Sequence, residues 1–147
     1  MEPRPVIPCA FPVRRRIVLC SFMETSRRIL LLDDDPALLE CLSETLRLRI
    51  PGIGVETCEF PADAMDRLYA VEYQLVISDL KMPGMDGLAV LRMVKAIRPS
   101  MPVLLITGVI PDDDVVAIAR RHGAVDVVSK PLERHVFIET IARILRL

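Results

Sequence analysis

Residues 75–87 read LVISDLKMPGMDG, and this stretch decides the fold. It begins as a short apolar run, reaches a carboxylate at Asp79 and then enters a turn built from Pro83, Gly84 and Gly87. A short apolar run bounded by turn residues is typical of a buried β-strand. We therefore expect Asp79 at the carboxyl end of such a strand, which is the edge where open α/β sheets bind their ligands.

The same alternation of an apolar run and a helical segment recurs from Ile29 onward. Apolar runs predict strands at residues 29–32, 54–60, 75–79, 103–106 and 125–128. Apolar residues recur at helical spacing at residues 36–50, 62–71, 88–97, 112–123 and 137–145. This order predicts an α/β fold with a doubly wound five-stranded parallel sheet and five helices.

Charge divides the 147 residues into a basic arm and an acidic body. Residues 1–28 hold six arginines against two glutamates, so the arm carries +4. Residues 29–147 hold 13 basic and 18 acidic side chains, so the body carries −5. An acidic body argues against direct binding of nucleic acid, which needs a clustered basic face. No apolar run reaches the ~18 residues that a membrane span requires.

The arm has four prolines within its first twelve residues, which exclude a regular helix there. Its apolar patch at residues 17–22 is shorter than the hydrophobic region of a signal peptide. We expect residues 1–28 to be a disordered N-terminal extension, or the product of a mis-assigned start with the biological start at Met23. Residues 29–147 then form one domain.

The cysteines are widely spaced and contain no C-x-x-C pair. Cys41 and Cys58 fall within periodic apolar segments, so we expect both to be reduced thiols in the core. A disulfide or a metal site is the alternative for these two residues.

Polar residues stand at the ends of four predicted strands. Asp33 and Asp34 follow the first strand, Asp79 ends the third, Thr107 follows the fourth and Lys130 follows the fifth. Because parallel strands joined by right-handed crossovers end on the same edge, we expect three carboxylates, a hydroxyl and an ammonium in one cleft.

Three carboxylates in one cleft repel one another unless a cation neutralises them. Mg²⁺ suits such a site because it prefers carboxylate and carbonyl oxygens and retains several waters. With the charge balanced, Asp79 can stay ionised and attack phosphorus to form an aspartyl phosphate. Lys130 would then contact the transferred phosphoryl group, and Thr107 would donate to its oxygens.

Each feature also has a purely structural explanation. An Asp-rich turn before a helix is more often an N-cap than a metal site. A Lys-Pro pair commonly forms a solvated turn, and Thr107 can satisfy backbone groups at a strand end. Only the occurrence of all these residues in this order, at the ends of successive strands, favours a site.

Several motifs together suggest a known family. They are the residues 31–36 (LLDDDP), Asp79 with residues 82–87 (MPGMDG), residues 106–108 (ITG), residues 123–126 (GAVD) and residues 129–131 (SKP). Over about residues 28–147 the chain resembles the receiver domain of bacterial response regulators. The resemblance implies a flavodoxin-like receiver fold, a cytoplasmic location, and a phosphoryl group supplied by a histidine kinase or a histidine phosphotransfer protein.

The resemblance also implies the roles of individual residues. Asp79 becomes the phosphoryl acceptor, and Mg²⁺ is held by Asp33, Asp34, Asp79 and the backbone carbonyl of Lys81. Domains of this family signal through the fourth helix, the fifth strand and the fifth helix. This face would contact a downstream effector protein and is a candidate for weak dimerisation.

Within the resemblance, Thr107 is the switch hydroxyl and Lys130 is the phosphate-binding lysine. The family commonly has an aromatic residue on the fifth strand that moves together with the switch residue. Here that position is Val125, so a smaller group has to carry the signal. Because the chain ends at Leu147 after its fifth helix, it resembles a single-domain regulator.

Two other functions remain open. A phosphatase with an aspartate nucleophile usually shows a D-x-D-x-[TV] motif. Lys81 stands two residues after Asp79, and the run from Asp33 ends on Ala37 where the motif needs Thr or Val, so the motif is absent. A receiver-like interaction module that is never phosphorylated usually lacks one of the acidic residues, the threonine or the lysine. All of these residue types are present here.

Overall fold

The computed structural model describes residues 27–108, 110 and 112–147. They form a five-stranded parallel sheet in the order β2-β1-β3-β4-β5. The strands are β1 (Arg27–Leu32), β2 (Ile53–Cys58), β3 (Leu75–Asp79), β4 (Val103–Thr107) and β5 (Asp126–Ser129). The helices are α1 (Pro36–Arg49), α2 (Pro61–Ala70), α3 (Gly87–Ile97), α4 (Asp113–Arg121) and α5 (Arg134–Leu145). None of these helices is long and apolar enough to cross a membrane.

The sheet separates two hydrophobic cores. Alternate residues of β1 point to opposite faces, so Leu30 packs in one core and Leu31 in the other. The first core joins the sheet to α2, α3 and Ala119 of α4, and the second joins it to α1 and α5. Every residue of β3 and β4 is buried, as expected for central strands covered on both faces. Full burial of each large apolar side chain contributes about 1.5–3 kcal/mol.

The strand order locates a crevice at one edge of the sheet. The chain runs from β1 outward to β2 and then returns past β1 to β3. Leu32 of β1 is in register with Ser78 of β3, so Asp33 and Asp79 follow one residue later on neighbouring strands. The carboxyl ends of β1 and β3 therefore form the switch point at which open α/β sheets bind ligands.

The structure confirms the predicted α/β fold but moves one boundary. Arg27 and Arg28 pair with Ile53 and Gly54 of β2, so the sheet begins two residues before the predicted start of the domain. The rest of the predicted N-terminal extension, residues 1–26, lies outside the described residues.

The prediction that both cysteines lie in the core is correct for Cys58 and wrong for Cys41. Both are free thiols, but Cys58 is buried and Cys41 is exposed. The buried face of α1 contains Leu39, Leu42 and Leu46. Because successive helical residues are about 100° apart, Cys41 lies off this face and points to solvent.

Candidate functional site

The turn after β1 divides its three aspartates between two roles. Asp33 is buried and Asp34 is exposed, and the Asp33 backbone N–H donates to the carbonyl of Cys58 at 3.2 Å. Asp35 is the N-cap of α1, where its Oδ1 accepts from two backbone N–H groups at 3.0 and 3.3 Å. The N-cap explanation therefore applies to Asp35 and not to Asp33 or Asp34. Asp33 Oδ1 instead accepts from the Asp35 backbone N–H at 2.9 Å.

Asp79 is the last residue of β3 and its exposed fraction is only 6%. The Lys81 backbone N–H donates to Asp79 Oδ1 at 3.3 Å. The backbone of Lys81, whose carbonyl is a predicted metal ligand, therefore lies next to the Asp79 carboxylate. After Asp79 the chain turns so that the backbone of Gly87 lies close to that of Leu80. Glycine is needed there, because a Cβ at residue 87 would lie 2.5 Å from the Leu80 Cα. The sequence indicated a turn at Gly87 but not this close approach.

The three carboxylates among the predicted metal ligands lie together. One carboxylate oxygen from each of Asp33, Asp34 and Asp79 is within 4.8 Å of the other two. Two of these side chains are buried and the third, Asp34, faces solvent. An all-oxygen set with one open side is the kind of site that Mg²⁺ occupies, because this ion keeps part of its water shell. The residues present therefore fit Mg²⁺.

Lys130 supplies one positive charge to this cluster. Its Nζ donates to Asp33 Oδ2 at 3.1 Å and to Asp79 Oδ2 at 3.5 Å. Its backbone N–H donates to the Thr107 carbonyl at 2.6 Å, which holds the segment after β5 against β4. The Lys130–Pro131 peptide bond is cis. One ammonium against three carboxylates leaves an excess of negative charge.

Burial and pairing act against each other in the Asp33–Lys130 pair. Burial raises the pKa of the Asp33 carboxyl above its ordinary value, although the Asp35 N–H and the Lys130 ammonium oppose the rise. Burial alone would lower the pKa of Lys130, but its hydrogen bond to Asp33 and the charges of Asp33 and Asp79 raise it. The lysine therefore remains a cation at neutral pH.

Thr107 ends β4 at the same edge of the sheet and is fully buried. It is in register with Ser129 of β5, and the preceding residue, Ile106, is in register with Asp79 of β3. The next residue, Gly108, is exposed and has open space where a Cβ would stand. All the side chains predicted for the site thus lie at the carboxyl edge of the sheet.

The sequence matches the family model of the response regulator receiver domain over residues 29–142. The chain belongs to this family. It is therefore a receiver domain of two-component, phosphorelay signalling.

Curated relatives of this receiver domain are longer proteins. FleR, a response regulator protein of Pseudomonas aeruginosa, is 39% identical over 117 residues, which are 79% of this chain and 24% of FleR. The transcriptional regulatory protein GlrR of Escherichia coli is 36% identical over 77% of this chain and 25% of its own length. FixJ of Bradyrhizobium diazoefficiens is 34% identical over 76% of this chain and 53% of its own length. The chain thus spans about a quarter to a half of these relatives.

Solved structures of receiver domains share the fold. The BeF3-activated receiver domain of DrrB is 28% identical with a TM-score of 0.72, over 82% of this chain and 98% of DrrB. A receiver domain protein from Methanospirillum hungatei is 26% identical with a TM-score of 0.75, over 82% of this chain and 94% of that protein. The beryllofluoride-activated NtrC4 receiver domain, solved as a dimer, is 25% identical with a TM-score of 0.74, over 81% of this chain and 96% of the NtrC4 domain.

One residue of the predicted receiver switch needs correction. Val125 was expected on the fifth strand, but it precedes β5 and has an exposed fraction of 46%. Val127 lies on β5 in register with Leu105, and it packs against the core on the same face of the sheet as Thr107. The fifth strand thus begins one residue later than predicted, and Val127, not Val125, is the valine of β5 that shares a face of the sheet with Thr107.

Proposed function

We propose that this receiver domain accepts a phosphoryl group on Asp79 from the phosphorylated histidine of a histidine kinase or a histidine phosphotransfer protein. One observation carries the proposal: three carboxylates lie within 4.8 Å, and a single lysine Nζ contacts two of them. Mutual repulsion makes such a cluster unfavourable in a purely structural role, whereas it is useful where a cation and a phosphoryl group bind.

In this proposal Asp33, Asp34, Asp79 and the backbone carbonyl of Lys81 hold Mg²⁺. The ion, when bound, offsets the charge of the carboxylates and of the phosphoryl oxygens. The exposed position of Asp34 supports the assignment, because it leaves a side of the cluster open to solvent.

Asp79 is the nucleophile of the proposed transfer. One of its carboxylate oxygens attacks phosphorus while the phosphorus–nitrogen bond of the phosphohistidine breaks and the nitrogen keeps the electron pair. The imidazole then takes up a proton, and the product is an acyl phosphate. Water later attacks the phosphorus, which releases inorganic phosphate and restores the carboxylate.

Lys130 and Thr107 respond to the new group. Phosphorylation adds roughly −1.5 to −2 charges, and the Lys130 ammonium is already 3.5 Å from Asp79 Oδ2. It can therefore pair with the phosphoryl oxygens without a large movement. The Thr107 hydroxyl, on the neighbouring strand, turns toward the same oxygens and leaves space that Val127 can enter.

The output surface in this proposal is the face formed by α4, β5 and α5, which contacts a downstream effector protein or a second copy of the domain. The weak packing of α4 supports this choice, because Ala119 is the one residue that this described helix buries fully. A cytoplasmic location belongs to the same proposal and rests on the family.

Treatment with acetyl phosphate and Mg²⁺, followed by intact mass measurement, tests the proposal. The wild type should gain the mass of one phosphoryl group, and Asp79→Asn should gain none. Asp86→Asn is the matched control, because Asp86 caps α3 through the Leu88 N–H and asparagine caps a helix equally well. If the wild type takes up no phosphoryl group from acetyl phosphate or from a phosphohistidine protein, the domain is an unphosphorylated interaction module. Continuous turnover of phosphate esters would instead indicate a phosphatase.

A further inference from the structure

A surface cavity of about 360 Å³, open to solvent, lies between α1 and α5. It is lined by Arg49 of α1 and by Arg134, His135, Ile138 and Glu139 of α5. None of these residues belongs to the acidic cluster at Asp79. The volume falls within the range of pockets that bind small molecules.

The two arginines of this cavity differ from other arginines of the same helices. Arg47 of α1 donates to the Val55 carbonyl at 2.6 Å, and Arg143 of α5 pairs with Asp126 at 3.6 Å. The side chains of Arg49 and Arg134 make no hydrogen bond or ion pair with any residue that the structure describes. Two guanidinium groups from different helices thus border one cavity with their donors available.

The lining indicates the chemistry of a ligand. A guanidinium group matches the charge and the hydrogen-bonding geometry of a phosphate. His135 adds an imidazole, whose Nε2 lies 3.8 Å from Glu133 Oε2. The Glu139 carboxylate repels a ligand that is anionic on all sides, but it can accept hydrogen bonds from hydroxyl or amino groups. Ile138 is half-buried and gives an apolar wall against which a flat ring can pack.

We propose that this cavity binds a nucleoside monophosphate. The phosphate contacts Arg49 and Arg134, and the sugar and base lie toward Glu139 and Ile138. The proposal does not rest on phosphorylation of Asp79, because no residue that lines the cavity belongs to the acidic cluster.

Calorimetric titration of the full chain with AMP tests the proposal. The buffer contains EDTA, so that a divalent ion cannot attract phosphate to the acidic cluster. Inorganic phosphate and adenosine are titrated separately, and AMP should bind at least about tenfold more tightly than either. Absence of saturation below about 5 mM AMP, or equal affinity for AMP and inorganic phosphate, would overturn the proposal.

Variants locate the binding. Arg49→Gln and Arg134→Gln should each weaken AMP binding by about tenfold, since each removes charge-assisted hydrogen bonds to the phosphate. Arg121→Gln is the matched control, because Arg121 is exposed at the end of α4 and has no ion pair among the described residues. It should bind AMP as the wild type does.

Glu139→Ala separates a nucleotide site from a simple anion site. Loss of this carboxylate should strengthen binding of inorganic phosphate and weaken binding of AMP, so the preference for AMP falls. An equal loss in the Arg121 variant, or an unchanged preference in the Glu139 variant, contradicts the assignment. Because these side chains are exposed, unchanged melting temperatures are expected and would exclude misfolding as the cause.

Discussion

The two ends of the sheet differ in how their charged groups are balanced. At the carboxyl end, three carboxylates share one ammonium. Toward the amino end, the single carboxylate of Glu56 accepts a hydrogen bond from the Tyr73 hydroxyl at 2.5 Å and lies 3.8 Å from Arg28 and 3.5 Å from Arg67. In this amino-end network, the charge of Glu56 is balanced by groups of the fold itself. The acidic cluster at the other end lacks such partners among the described residues, which is what we expect of a site that acquires its missing charge from a ligand.

The largest expected effect is the loss of Lys130, the one cation that the described part of the chain brings to the acidic cluster. Lys130→Met should slow phosphoryl transfer to Asp79 by about 100-fold, because it removes a positioned charge from the developing phosphoryl oxygens. Arg67→Met, which removes a cation from the amino-end network, should leave the rate within about twofold. The rate of mass gain with acetyl phosphate measures both variants. Equal slowing by the two would mean that the ends of the sheet do not differ as described.

Neutralising one carboxylate at each end should change stability in opposite directions. In EDTA, Asp34→Asn should raise the free energy of unfolding by about 1 kcal/mol, because it removes repulsion within the cluster. Saturating Mg²⁺ should cancel this gain. Glu56→Gln should lower the free energy of unfolding by about 1 kcal/mol, because it weakens a hydrogen bond and two partly exposed ion pairs. Urea unfolding measures each value, and a loss of stability for metal-free Asp34→Asn would contradict the account.

The amino-end network should also set stability at high pH. Burial, followed by the hydrogen bond to Glu56, raises the pKa of the Tyr73 phenol above its ordinary value of about 10. The contribution of Tyr73 is therefore complete below pH about 10 and is lost as the pH rises toward the raised value, because unfolding then releases a proton. Tyr73→Phe should cost about 1 kcal/mol at neutral pH and flatten the decline above pH 10. Tyr69→Phe is the control, since Tyr69 is 72% exposed.

The smallest expected difference concerns the two valines of the corrected switch. Val127→Ala should lower the free energy of unfolding by about 1 kcal/mol, because Val127 packs against the core. Val125→Ala should change it by less than about 0.5 kcal/mol, because that side chain is exposed. Chemical shifts with and without beryllofluoride should change more near Val127 than near Val125. A larger response at Val125 would restore the original assignment.

Local pattern was sufficient for the fold and for the composition of the acidic cluster. Each apolar run predicts a strand, and a parallel sheet brings strand ends such as Asp79 and Lys130 together whatever the details of packing. Local pattern did not identify Val127, because β5 is only half-buried and its first and last residues are therefore poorly marked in the sequence. Local pattern also misplaced Cys41, because apolar residues cover so much of α1 that the sequence does not show where its buried face ends.

Other features depend on contacts that no local pattern contains. Glu56 and Tyr73 are separated by 17 residues and meet only when β2 and β3 flank β1. The requirement for glycine at Gly87 follows from the approach of the Leu80 backbone, which is visible only in the folded turn. The amino-end network was therefore not predicted, whereas the acidic end was.

Chemical trapping of the phosphorylated residue tests the central claim most directly. Borohydride reduces an acyl phosphate to an alcohol, so protein treated with acetyl phosphate and Mg²⁺ should contain homoserine in place of the phosphorylated aspartate. Tandem mass spectrometry of the digested chain locates that residue. The account predicts homoserine at Asp79 alone, and only when Mg²⁺ is present. Homoserine at Asp33 or Asp34, or none at any position, would contradict it.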